Sequence, residues 1–494
     1  MTTPYTQLEK KFKRLNILGD CAGMLHWDMA TMMPRGGAEA RAEQLALLAT
    51  MSHAMMVEDE MADLLNQAED DGDLNEWQQA NLQEMHRAHT HATALDEELV
   101  EAFSRAKSTC EQVWREARPN GDFKSVVPAL KEVLNLTRQK AQAKSQKLNC
   151  SLYDALLDAY EPDGKAVEID EIFAKLEAFL PGFLPEVLEK QKQMSFDKPQ
   201  GPFDLDKQKE LGLSFMTALG FDFDHGRLDV SLHPFCGGIP DDVRLTTRYD
   251  EDDFTSALMG VLHETGHALY ERGLPVEWRD QPVGAARGMS IHESQSLLVE
   301  MQVCRSDAFL TYAVPKMTQA FKGQGSAWSL DNFINLYRQV KPGFIRVDAD
   351  EVTYPAHVIL RYKLERALIE GEMEVEDIPA SWNEMMQKLL GITPPSDREG
   401  CLQDVHWYDG AWGYFPTYTL GAMSAAQIYG AAERALPTLE GDIEKGDFSG
   451  LMNWLKVNVH SLGSKLSTQE LMKKATGKAL DPDVFITHLK KRYS

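Results

Sequence analysis

Long stretches of this chain lack Pro and Gly and repeat apolar residues at steps of three and four, and that period requires most of the molecule to be helix. Met61, Leu64 and Leu65 show the step, and Leu82 with Met85 and Leu95 with Leu99 repeat it. Ala129 to Leu148, rich in Leu, Lys, Ala and Gln, is another such stretch, with Pro128 placed as a helix start. The clearest breaks are Glu161-Pro-Asp-Gly, Lys198-Pro-Gln-Gly-Pro and Thr393-Pro-Pro-Ser, which are turn chemistry and too short for flexible linkers. The expectation is therefore one unit over residues 1–494, at most two-lobed, with a helical N-terminal part to about 200 and the remainder from about 201.

One segment departs from the helical period. From Arg227 to Tyr249, Leu228, Val230 and Leu232 alternate with polar residues, a Gly-Gly pair follows, and Val243, Leu245 and Thr247 alternate again. This pattern predicts a short β-hairpin, whose exposed strand could pair with an extended peptide.

A formal net charge of −25 repels phosphates and anionic lipid, so neither nucleic acid nor membrane is an expected partner. The six cysteines are scattered with no C-x-x-C pair, as suits reduced thiols in a cytoplasmic protein. The N-terminal residues contain no apolar signal-like stretch, and no apolar run approaches the ~18 residues of a membrane span.

The chemistry is concentrated between Asp252 and Pro275. Asp252 or Asp253 can cap a helix start, Phe254, Leu258, Val261, Leu262 and Leu269 step along one face, and Gly273 with Pro275 ends the helix. His263 and His267, four residues apart, lie about one turn apart on that helix and can reach one divalent ion. Glu264 sits beside them without needing to bind, where it can take a proton from water. Gly260, a turn earlier, leaves room on the same face.

A catalytic metal site needs a third protein donor. A second helix starting near Ser290 offers Glu293, with Glu300 as the competing ligand. Ser290-x-x-Glu293 is also a capping-box pattern, and spacing alone does not choose between these readings. The neighbouring His292 is either substrate-facing or a support for the ligands.

Several separated motifs together resemble the carboxypeptidase Taq metallocarboxypeptidases over essentially the whole chain. They are His233-Pro234-Phe235; Asp242, Arg244 and Thr246 in D-x-R-x-T; the 263–267 motif; His292-Glu293-Ser294-Gln295; Ile345, Arg346, Ala349 and Asp350 in I-R-x-x-A-D; and Gly400, Gln403, Asp404, His406 and Trp407 in G-x-x-Q-D-x-H-W. Trp27-Asp28 to Met33-Pro34 is similar to the family's N-terminal pattern, with Met29-Ala30 departing from its usual polar pair. The resemblance implies Glu293 as third ligand. It also implies a mainly helical body with a deep groove, similar to neurolysin-like and angiotensin-converting-enzyme-like peptidases. The implied activity is removal of single residues from peptide C-termini with broad specificity, by a homodimer carrying one divalent metal per chain. Zinc is the expected metal, although two histidines and a glutamate also accept cobalt or manganese.

By similarity to neighbouring peptidase families, His406 and Tyr418 stabilise the oxyanion, with Tyr414 as the alternative. A free substrate carboxylate calls for an arginine, whose planar fork matches it. Arg346 is the first choice and Arg244 the second, against internal ion pairs with Asp348 or Asp350 and with Asp242. The hairpin from His233 to Thr246 is expected to line the groove, and Asp404 to orient His406. His86, His89 and His91 are read as solvated surface residues, and Tyr354 and His357 are left unplaced. The runner-up function is an oligopeptidase with the same metal chemistry, and the non-catalytic alternative is a helical scaffold with a vestigial site.

Overall fold

The computed structural model describes residues 3–494 except Asp71 and Leu232. It is mainly α, with one three-stranded sheet. Eight of its helices carry the argument: α1 (Pro4–Thr31), α2 (Ala38–Met56), α3 (Phe123–Leu148), α4 (Phe254–Gly273), α5 (Met289–Leu297), α6 (Tyr354–Glu370), α7 (Pro416–Ala435) and α8 (Pro482–Tyr493).

The helical period was sound, while some predicted ends move. Met61, Leu64, Leu65, Leu82 and Met85 pack with Tyr5, Leu8 and Phe12 of α1 in a small N-terminal core. Leu95 and Leu99 instead straddle a helix start, because Asp96 caps the helix Glu97–Ala117. α3 begins at Phe123, where Asp122 accepts the Ser125 N–H at 3.2 Å, so Pro128 lies inside the helix. Buried Phe123, Val126 and Leu130 anchor those turns against the hydrogen bond that Pro128 forgoes.

The sheet is more than the expected hairpin. β1 (Gly226–Val230), β2 (Cys236–Ile239) and β3 (Asp242–Thr247) lie in the order β1-β3-β2, with β1 parallel and β2 antiparallel to β3. The hairpin is therefore β2–β3, turning at Pro240-Asp241, and Gly237-Gly238 is part of a strand. Gly238 has φ +89°, and a β-carbon there would stand 2.1 Å from the Asp242 carbonyl oxygen, so glycine is needed for close backbone approach. Leu232, part of the predicted alternation, is outside the described residues.

Two large apolar cores hold the body. One joins Trp114, Phe173 and Leu180 to Leu360, Trp382, Trp412 and Phe485, so residues before 200 share a core with the C-terminal third. The other surrounds α4 and α5 through Leu258, Leu262, Ile291, Leu298 and Phe309. After α5 the chain widens into a π-helical turn, Leu298–Val303. α8 clasps this turn: Arg492 donates to the Met301 carbonyl at 2.6 Å, and buried Glu351 accepts from Arg492 at 3.0 Å, the Tyr493 hydroxyl at 2.9 Å and Gln302 at 2.9 Å. Among the described residues no helix is long and apolar enough to cross a membrane.

Candidate metal centre and groove

Asp253 caps α4 by accepting the Thr255 and Ser256 N–H groups at 3.0 and 3.3 Å, which sets the register of His263 and His267. The cap of α5 is not local. Met289 N–H donates to the Tyr160 carbonyl at 2.7 Å, and Ser290 N–H to the Glu161 carboxylate at 3.1 Å. The Ser290 capping box is thus absent, and Glu293 is left facing α4. Two glycines allow the close approach. A β-carbon at Gly266 would stand 2.5 Å from the Gln295 carbonyl oxygen, and one at Gly421 of α7 would stand 2.9 Å from Glu293 Cβ. α5 is therefore held between α4 and α7 at backbone contact.

The result is a compact donor set. Nε2 of His267 lies 3.4 Å and Nε2 of His263 3.8 Å from Glu293 Oε2. One donor atom from each of His263, His267 and Glu293 falls within 4.8 Å of the others, as a bound divalent cation requires. Against burial, the adjacent His263 and His267 hold the Glu293 carboxyl down at about 2, so it stands ready as an anionic ligand. Both imidazoles use Nδ1 elsewhere. His263 Nδ1 meets Glu300 at 2.9 Å, and His267 Nδ1 meets His292 Nδ1 at 2.6 Å, while His292 Nε2 meets Glu271 at 2.8 Å. If Nδ1 of each histidine ligand carries the proton, every contact pairs a donor with an acceptor, and both Nε2 lone pairs face the centre. These residues fit a metal ion. Glu300, the competing ligand, instead braces His263 and is itself paired with Arg305 at 2.5 Å.

Glu264, His263 and Glu293 open into a groove of about 890 Å³ whose walls include Gly260, Pro234, Arg346, Tyr354 and Tyr418. Burial, reinforced by the charges of Glu293 and Glu300 and opposed by His263, pushes the Glu264 carboxyl up to about 7. Arg346 Nε and Nη2 donate to Asp404 Oδ1 at 3.1 and 2.8 Å, Nη1 donates to the Tyr354 hydroxyl at 3.2 Å, and the guanidinium stacks 4.7 Å over Tyr418. Gln403 supports the same segment by accepting the Arg346 N–H at 2.8 Å.

Several expected placements change. Asp404 makes no hydrogen bond to His406. It takes Arg346 and, at 2.6 Å, the fully buried Arg361, because two guanidiniums outcompete a neutral imidazole for one carboxylate. Arg244 is outside the groove lining: it pairs with Asp242 at 2.9 Å and stacks 4.5 Å over the buried Trp27. The alternative weighed for Arg346, an ion pair with Asp348 or Asp350, is absent from its contacts, and Asp350 instead accepts the Thr353 N–H at 3.0 Å. His292 lies behind His267, outside the groove lining. His233 is exposed beside groove-lining Pro234, and Thr246 secures that loop by accepting the Phe235 N–H at 3.0 Å. His91 is no solvated residue: it bridges Asp158 at 2.8 Å and Lys144 at 2.9 Å, and His86 meets Glu69 at 3.0 Å. His89 is likewise half-buried, and His357 is wholly buried.

His406 Nε2 lies 3.3 Å from the Tyr418 hydroxyl. Tyr418 lines the groove, whereas Tyr414 does not and packs edge-on against Tyr160 at 5.0 Å. Burial, aided by Arg346 and Arg361 and opposed by Asp404, lowers His406 to about 4, and burial raises Tyr418 to about 12. Both stay neutral near pH 7 and can offer protons as hydrogen-bond donors. The sequence reading gave no site role to Arg361, Glu271, Tyr160 or Glu161, the last named only as the start of a turn; their contacts bridge distant segments and leave no local signal.

A His-His-Glu donor set beside a buried glutamate, opening into a groove of a helical body, is the arrangement that a metallopeptidase requires. Comparison with known proteins narrows the class. The family model described as carboxypeptidase Taq (M32) metallopeptidase matches residues 7–493. Thermostable carboxypeptidase 1 of Thermus thermophilus is 38% identical over 488 residues, covering 97% of this chain and 96% of that protein. Carboxypeptidase 1 of Bacillus subtilis is 37% identical over 498 residues, covering 98% of each. The structure of Trypanosoma cruzi metallocarboxypeptidase 1 superposes with a TM-score of 0.97 at 42% identity, covering 99% of both chains. The chain belongs to the M32 carboxypeptidase Taq family and is a metal-dependent carboxypeptidase, a peptide hydrolase.

Proposed function

We propose that this enzyme removes single residues from free peptide C-termini with broad tolerance for the side chain removed. The observation that carries this reading is one groove lined by His263, Glu264 and Glu293 together with Arg346 and Tyr418. His263, His267 and Glu293 would hold one divalent metal, zinc by the nature of the donors, with cobalt or manganese as acceptable substitutes. When bound, the ion supplies a Lewis acid that polarises the scissile carbonyl and lowers the pKa of water.

The side chains do the rest. Glu264 takes the proton of the attacking water and returns it to the leaving amine; its elevated pKa suits both transfers. Tyr418 and His406 donate to the developing oxyanion, and groove access favours Tyr418 over Tyr414 for this role. Arg346 receives the substrate carboxylate, with Asp404 as its anchor. His292 and Glu271 support His267, which favours the supporting role over a substrate-facing one for His292. β2 is an edge strand, and with His233 and Pro234 it offers main-chain contacts to an extended peptide.

Digestion of one long peptide, free and C-terminally amidated, with and without chelator, tests the reading. The expected product from the free peptide is a ladder shortening by one residue from the C-terminus, absent with chelator and with the amide. Internal cleavage of both peptides would favour the oligopeptidase alternative instead.

We take the whole chain as one catalytic unit, since its first core spans both halves. Six free cysteines favour a reducing cytoplasm. A homodimer follows from the family resemblance, and α2 offers a face for it: the helix buries none of its residues, and Leu47 and Met51 are 61% and 44% exposed. Light scattering should read twice the chain mass, and Leu47→Glu should shift it toward one; a wild-type mass of one chain would end the dimer assignment.

A further inference from the structure

His406 has few anchors of its own. Its Nδ1 is buried without a hydrogen-bond partner among the described residues, and Asp404 is occupied by arginines. Beyond the 3.3 Å contact of Nε2 with the Tyr418 hydroxyl, its position comes from the backbone on either side and from ring packing, such as Phe415 at 4.5 Å.

Glu365 of α6 stands where that backbone can be held. Its side chain is fully buried. One carboxylate oxygen accepts the Trp407 indole N–H at 3.1 Å; the other accepts the Gly413 backbone N–H and the Tyr153 hydroxyl, the latter at 3.4 Å. Trp407 directly follows His406, and Gly413 directly precedes Tyr414. Inside the turn, the Ala411 N–H donates to the His406 carbonyl at 2.7 Å, and the Trp407 and Trp412 rings stack 5.6 Å apart. One carboxylate thus ties both ends of the loop whose flanks carry His406 and Tyr414, both ring neighbours of Tyr418. Burial raises the Glu365 carboxyl to about 7, while its three partners are all donors and favour the ionised form.

We propose that Glu365 is a positioning residue, whose carboxylate pins Trp407 and Gly413 and thereby fixes His406 beside the groove-lining Tyr418. The proposal rests on the reading that His406 serves the reaction.

Glu365→Gln tests it, because the glutamine amide offers one oxygen where two are used, so one N–H donor is left facing an NH₂ group. The expected result is a fall in kcat of about tenfold, the lower range for groups that support reacting side chains. KM and metal content should stay within about twofold. In a His406→Phe background the same substitution should add no more than about twofold, because the residue it positions is gone.

An equal fall in both backgrounds would show that Glu365 acts only on the fold and would overturn the proposal, as would unchanged kcat in Glu365→Gln while His406→Phe alone is impaired. If His406→Phe alone keeps full kcat, the His406 reading fails and takes this proposal with it. If Glu365→Gln does not fold, Trp407→Phe removes one donor and keeps an aromatic ring. Its smaller drop should likewise disappear without His406, and persistence of that drop would overturn the proposal.

Discussion

Glu264→Gln should lower kcat by ~10²–10⁴-fold while leaving metal content unchanged, the range expected when a general base is removed. Glutamine keeps the shape of the side chain but cannot take a proton. The three donor atoms on His263, His267 and Glu293 are untouched, so binding of the ion and catalysis separate in this variant. Glu264 is 7% exposed and lines the groove, and its neighbours Glu293 and Glu300 add to the burial that raises its pKa to about 7. A base tuned to the working pH of a cell has the largest catalytic leverage. Steady-state rates on a free-terminus peptide, with metal measured by elemental analysis on the same sample, check the outcome. Full activity in this variant would remove Glu264 from the mechanism.

What the sequence made legible follows the reach of the interactions involved. The α4 helix, its Asp253 cap and its end near Pro275 depend on residues within a turn or two, and all are where the pattern put them. The donor pair His263 and His267 is legible for the same reason. Glu293 was open on spacing alone, because its rival reading, the Ser290 capping box, fails only when Glu161 arrives from 129 residues upstream to take the Ser290 N–H. That the β1 and β3 segments pair was legible, but their parallel orientation and the strand β2 between them in sequence were missed, because Gly237-Gly238 resembles a hairpin turn when only local conformation is considered. Asp404 was assigned to His406 because the two are close in sequence; Arg346 and Arg361, 58 and 43 residues away, claim it through charge. The motif residues also divide once contacts are known. Thr246 and Gln403 secure backbone, while Arg346 reaches the groove.

That division gives Arg346→Met its expected effect. Arg346, Arg361 and Asp404 form a buried trio of two cations and one anion, which leaves one positive charge at the groove wall. An incoming carboxylate balances that charge, and the planar fork of Arg346 suits the anion. Removing one partner of a buried charge pair costs about 2–5 kcal/mol. At ~1.4 kcal/mol per tenfold, kcat/KM on free-terminus peptides should fall roughly 30- to 4,000-fold. Arg361 still neutralises Asp404 in the variant, so the fold and metal content should survive. The decisive measurement is the ratio of kcat/KM for free and amidated forms of one peptide. The ratio should collapse toward unity in Arg346→Met and persist in Arg244→Met, whose guanidinium is committed to Asp242 and Trp27. If Arg346→Met keeps the wild-type preference for the free terminus, another group holds the substrate carboxylate, and the trio is only a structural knot.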